Sequence, residues 1–206
     1  MAKAKPVIFE PKIICDTREQ RKYAFRKVMS DESRECFPLV LSPDVIESYA
    51  ETQKPYEFQG IMSDAKQGGG PLVITVEVKK LATGDYSIEG HEDKVCVERK
   101  SKEDLFGTLT SGRDRFEREL IRMTKMQSPQ IVCEAEWSEI LNDPPKYSKT
   151  SPKSIYRSVL AWIQRYPMIH WHFVPGREVA EVWTFRILQR FQIEWVANQK
   201  KEESKG

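Results

Sequence analysis

Asp85, Glu98 and Lys100 are the residues of this 206-residue chain whose types and spacing could do chemistry. The last two stand in the run V-C-V-E-R-K-S-K-E-D at Val95–Asp104, where three β-favouring residues give way to charge. On a strand, residues two apart share a face, so Glu98 and Lys100 would share a pocket and Arg99 would face the other way. Gly84-Asp85-Tyr86 reads as a turn into a short strand, and hairpin pairing could bring Asp85 beside Glu98. Two carboxylates around a divalent cation, with a lysine to steady an attacking water or a developing charge, suit metal-assisted phosphodiester hydrolysis. The same three charges read equally as the solvated end of an edge strand that discourages aggregation.

The elements that must position these residues can be read in order. Lys12–Asp16 is a short apolar strand ending on an acid, followed by Arg18, Arg21, Lys22 and Arg26. Asp16 and Glu19 either add a second carboxylate set to the site or open a turn and stay solvated. Leu72–Lys79, Tyr86–Ile88 and Val95–Lys100 predict a three-stranded antiparallel meander. Ser101 is a helix N-cap with Asp104 at capping-box spacing, a structural use that competes with a role at the site. Asp114–Gln127 predicts a helix with Phe116, Leu120, Met123 and Gln127 on one face. Arg115, Arg118, Arg122 and Lys125 form a nearly opposite basic stripe, either a solvated face or a grip on phosphates. Pro129–Glu134 reads as a strand parallel to Val95–Lys100 through a right-handed crossover. Ser151-Pro152 opens a helix whose face Ile155, Val159, Trp162, Ile163 and Tyr166 is core. Met168–Val174 alternates as a strand with His170 and His172 on one face; His-x-His can bind a transition metal, yet no third ligand is evident. Gly176–Phe191 is a last amphipathic helix, and Asn198–Gly206 reads as a disordered charged tail. This order gives an α/β fold, a sheet with helices on its faces.

Composition narrows the partners. The 33 basic and 31 acidic residues leave a formal charge of +2, so any nucleic-acid contact must come from local clustering. Cys15, Cys36, Cys96 and Cys133 form no C-x-x-C and read as reduced core residues. No apolar stretch approaches a bilayer span and Met1–Lys5 lacks the apolar core of a signal peptide. The expectation is a soluble, cytoplasmic protein without a membrane partner. Residues 28–71, with Pro38, Pro43 and Pro55, a short helix at Pro43–Glu51 and the turn Gly68-Gly69-Gly70-Pro71, are the least readable part. No G-K-[ST] follows those glycines, so they do not form a phosphate-cradling loop.

D-x12-E-x-K is the minimal signature of the restriction-endonuclease-like superfamily. The wider pattern, Asp16-Thr17-Arg18-Glu19, then G-D-Y, then E-R-K-x-x-x-D-L, then Gly112-Arg113, resembles the nuclease domain of the XPF family of structure-specific DNA endonucleases. The resemblance runs from about Lys12 to Phe191. It implies a mixed restriction-endonuclease-like sheet flanked by helices, and a DNA endonuclease that uses Mg²⁺ or Mn²⁺. Asp85 and Glu98 would ligate the metal, with Asp16, Glu19 and Asp104 as further ligands or supporting acids. Lys100 would act on water or phosphate, and Arg99 would fix the site. Arg113 would hold a phosphate, with Arg18, Arg118 and Arg122 as further DNA contacts. The family's nuclease domains can pair through later helices, so a homodimer is expected. The domain would span 12–197, after an N-terminal arm at 1–11, with 28–71 as an insertion relative to the family. No helix-hairpin-helix pattern follows the last helix, so branched-DNA preference does not carry over with the rest. A non-catalytic DNA-binding or scaffold subunit is the alternative, and a nuclease acting on RNA or free ends is a third.

Overall fold

The computed structural model of the chain describes residues 7–25, 72–110 and 112–204. The expected insertion at 28–71 lies outside them, as do Arg26 and Cys36. The chain divides into two compact units, residues 1–12 with 23–76, and residues 13–22 with 77–206. A division between units therefore crosses the domain expected at 12–197. In the first unit, the buried rings of Tyr23 and Phe25 meet edge to face. The second unit holds every candidate site residue.

Six strands among the described residues form one sheet in the order β2-β1-β3-β4-β5-β6. They are β1 (Val7–Cys15), β2 (Leu72–Val78), β3 (Tyr86–Ile88), β4 (Val95–Lys100), β5 (Ser128–Cys133) and β6 (His170–Phe173). β3 pairs antiparallel with both β1 and β4, while β5 runs parallel to β4 and to β6. The expected meander is corrected: β1 stands between β2 and β3. Ile13, Ile14 and Cys15 are all fully buried, and a strand covered on both faces belongs inside a sheet. β1 also begins at Val7, so the last residues of the expected N-terminal arm are strand.

Helices cover both faces. On one side lie α1 (Lys102–Thr108), α2 (Arg113–Met123), α3 (Trp137–Asn142) and α4 (Pro152–Arg165). Their Leu105, Phe106, Phe116, Leu120, Ile140, Ile155, Val159 and Trp162 form one core with Cys96, Ile131 and Cys133 of the strands. The alternating positions of β4, Val97 and Arg99, face α5 (Gly176–Glu203), which packs on β3, β4 and β5. Two boundaries differ from expectation. α2 stops at Met123, leaving Gln127 exposed, and α5 continues to Glu203, so the expected tail is helical that far. Ile155, Val159 and Trp162 are buried within the core, as expected of that stripe, while Ile163 and Tyr166 are partly buried against it. Cys15, Cys96 and Cys133 are free and buried. Among the described residues no helix is long and apolar enough to cross a membrane.

Candidate active site

The turn before β3 delivers the first carboxylate. Gly84 has φ of +73°, and a Cβ there would stand 2.8 Å from Cys96 Cβ, so this position needs glycine twice over. Asp85 then joins three strands: its N–H donates to Val97 O at 2.9 Å, its carbonyl accepts from Asp16 N at 2.8 Å, and its Oδ2 accepts from Arg99 N at 2.8 Å. On β4, Lys100 Nζ donates to Glu98 Oε1 at 2.8 Å and lies 4.5 Å from the centre of the Phe116 ring. Asp85, Glu98, Lys100, Arg18 and Arg115 line two adjoining cavities, of about 340 and 710 Å³.

The charges in this corner perturb one another. Burial and the Glu98 carboxylate, opposed by the Arg99 N–H, lift the Asp85 pKa well above the ordinary carboxylate range. Burial works against the Lys100 ammonium, but Glu98 and Asp85 outweigh it and keep the lysine charged. A close pair of acids beside a fixed ammonium is an arrangement suited to phosphate chemistry.

The other expected residues separate. Arg99, on the opposite face of β4, forks onto Glu134 at 2.6 and 2.7 Å and reaches Glu19 at 3.5 Å. Arg177 of α5 donates to the same Glu134 and to the carbonyls of Arg21 and Lys22. Glu19 lines the larger cavity, and so does Asp104, whose Oδ2 accepts from the Ser101 hydroxyl while its N–H donates back to that oxygen. Asp104 is thus both cap and rim. Asp16 does not line either cavity. Its Oδ1 accepts from Arg18 N and Nε, both at 2.7 Å, and its Oδ2 from Arg18 Nη2 at 3.1 Å and Leu81 N at 2.6 Å. Four donors thus engage both oxygens of this buried carboxylate.

The arginines also sort differently. Arg18 and Arg122 line the smaller cavity, the first paired with Asp16 and the second with Glu119. Arg113 turns away from the cavities, pairing with Glu117 at 3.4 Å, donating to the Ser158 hydroxyl and lying over the Trp162 ring. Arg118 is exposed and lines neither cavity. The α2 arginine that stands at both cavities is Arg115, about 200° further around the helix than Arg113. It is exposed, lines both cavities, and has no ion pair among the described residues. Its place in the basic stripe was legible in the sequence; which side of α2 meets the site was not. Glu119 was missed outright. Its Oε1 accepts from the Thr83 hydroxyl at 2.5 Å and from Gly84 N at 3.1 Å, and although burial acts to raise its pKa, these bonds and Arg122 hold it below the usual value. His172 hydrogen-bonds Gln130 at 2.8 Å, a use that needs no metal.

Among the described residues, no three His, Cys, Asp or Glu side chains converge as a metal site. Asp85 and Glu98 do share both cavities, and the repulsion between them is what a divalent cation would relieve. A hard cation that keeps most of its waters needs only one or two carboxylates, so this all-oxygen pair fits one.

Comparison with known proteins places the fold. A family model described as ERCC4 domain matches residues 16–187. Among solved structures, XPF from Aeropyrum pernix is similar at a TM-score of 0.52 and 17% identity, over 93% of this chain and 69% of that one. XPF from Aeropyrum pernix in complex with DNA is similar at 0.51 and 17%, over 90% and 66%. At this identity the likeness is one of fold, the mixed sheet with helices on both faces. No curated protein matches. The family match opens at Asp16, where β1 gives out, and closes at Ile187 within α5; a chain matched over that span, hairpin and cavities included, belongs to the ERCC4 domain family.

Proposed function

We propose that the chain is a divalent-metal-dependent DNA endonuclease. The observation that carries this reading is the convergence of Asp85, Glu98 and Lys100 in a cavity rimmed by arginines. Asp85 and Glu98 would hold Mg²⁺ or Mn²⁺, which when bound supplies charge neutralisation at the scissile phosphate and acidifies water. Lys100, charged and held by Glu98, points a fixed ammonium at the position where negative charge develops on the phosphate. The Arg99 N–H orients Asp85, while its guanidinium, locked by Glu134, keeps the end of β4 in register. Arg115 would grip a backbone phosphate with a side chain that no acid among the described residues holds, and Arg18 and Arg122 would flank it; such contacts carry no sequence preference. Glu19 and Asp104, on the rim of the larger cavity, would act on the site through water or through Arg99.

A homodimer belongs to the same reading. Among the described residues, the later helices expose Tyr156 and Leu160 on α4 and Ile193 and Val196 on α5, apolar side chains that a second copy would cover.

The test is incubation of the purified chain with labelled duplex, single-stranded, flap and fork DNAs, in Mg²⁺, Mn²⁺ or EDTA. The expected result is endonucleolytic cleavage with either metal and none in EDTA. Cleavage undiminished by excess chelator rules out the metal-dependent mechanism. DNA binding without cleavage under every metal leaves the non-catalytic scaffold in its place.

A further inference from the structure

We infer that Glu119 is a positioning residue for Asp85: from α2 it holds the Thr83–Gly84 turn, and so sets where the next residue's carboxylate stands. The inference deepens the reading just proposed and rests on it. Asp85 is tied on its strand side by Val97 O, Asp16 N and Arg99 N. The turn that leads into it has different needs. Gly84 brings no side chain with which to brace itself, and its backbone presses on Cys96. Thr83 is buried and its hydroxyl must find an acceptor. Both donors, the Thr83 hydroxyl and the Gly84 N–H, go to the same Glu119 oxygen, across 36 and 35 residues of sequence. Without that oxygen two donors beside the site lose their partner, and the turn must move to find others. A metal ligand displaced by about 1 Å is a poor ligand.

The other Glu119 oxygen engages Arg122, which lines the smaller cavity with Arg115 and Glu119 itself. Arg115, Glu119 and Arg122 are spaced four and three apart, so they occupy one side of α2. The helix side that would meet incoming phosphates is therefore also the side that fixes the Asp85 turn. Glu119 acts on the chemistry only through Thr83, Gly84 and Asp85.

The experiment is calorimetric titration of Mn²⁺ into the full chain without DNA, for the parental protein and for Glu119→Ala, Glu119→Gln and Thr83→Val, each checked by circular dichroism. Loss of an outer-shell partner weakens metal affinity by about tenfold or more, and that is the expected effect of Glu119→Ala and of Thr83→Val. The glutamine variant keeps an amide oxygen that can accept both bonds, and its affinity should stay within about twofold of the parent's. Should Glu119→Ala fail to fold, Thr83→Val carries the test, because it removes one donor and keeps the side-chain shape. Parental affinity in a folded Glu119→Ala or in Thr83→Val overturns the inference. So does a glutamine variant as weak as the alanine one, since charge and not positioning would then be the cause. A parental chain that binds no Mn²⁺ overturns the metal reading and this inference with it.

Discussion

At the scale of single residues, the structure gives the acids of this chain different work. Asp85 stands in the cavity against Glu98, so its charge is costly until a cation or a proton arrives. Asp85→Ala and Glu98→Ala should abolish cleavage while DNA affinity stays equal or rises, because a charge that repels phosphate is lost with the ligand. Lys100→Ala should abolish cleavage and weaken binding. Cleavage at the parental rate by all three folded variants would sink the assignment. Asp16 belongs to the scaffold. Its pKa, pushed up by burial, is brought below the ordinary value by the Arg18 fork and the Arg18 and Leu81 N–H groups. The folded state therefore prefers the ionised form, a stabilisation present above the unfolded pKa of about 4 and lost as pH falls through the lower folded value. Asp16→Ala should cost about 1–3 kcal/mol, chiefly from the Leu81 N–H left without an acceptor; Arg18 is 60% exposed and its ion pair adds little. Urea denaturation measures this, and the same variant should flatten the fall in parental stability below about pH 4. A folded Asp16→Ala chain that has lost Mn²⁺ binding would show that its carboxylate does reach the metal.

At the scale of elements, α2 divides its arginines by direction. Arg115→Ala should weaken binding to every DNA sequence alike and reduce the slope of log affinity against log salt by about 0.9, one phosphate contact. Arg118→Ala, outside both cavities, should do less to either quantity. Arg113→Ala should leave the slope unchanged and lower the melting temperature, since it removes the cover over Trp162 and the bond to Ser158. Equal salt slopes for the parental and Arg115→Ala proteins would dismiss the phosphate contact. The sequence disclosed this helix and its apolar face because period and charge are local properties, and it disclosed the β3–β4 hairpin for the same reason. It did not disclose that β1 enters the sheet between β2 and β3, because those neighbours are chosen by pairings between residues far apart in sequence, as Cys15 with Tyr86. Nor could it rotate α2: Phe116 and Leu120 say which side is buried, but not whether Arg113 beside that side or Arg115 on the stripe stands at the cavities. Asp16 and Asp85 look alike on paper, each an acid at a strand end. Only the surrounding donors, Arg18 and Leu81 for one and Arg99 for the other, tell them apart.

At the scale of the molecule, the rim of the larger cavity depends on the last helix. Arg177 bonds the carbonyls of Arg21 and Lys22 across 156 and 155 residues, and it shares Glu134 with Arg99. Arg177→Ala should release this segment while Arg99 keeps Glu134 in place. Trypsin should then cut after Arg21 or Lys22 several times faster, about threefold or more, because cleavage follows the population of the opened segment. An unchanged cutting rate there would mean that other contacts hold the rim. The same bonds set an order of events during synthesis. A ribosome adds roughly 5–20 residues each second, N-terminus first, so more than 150 residues separate the making of Arg21 from the making of the side chain that secures it. The hairpin with Asp85 and Glu98 can fold early, but its border stays open until Arg177 is made, roughly 8–30 s after Arg21 at that rate. A nascent chain thus carries Asp85 and Glu98 before it carries the wall that borders their cavity, and the finished cavity arrives only as α5 docks.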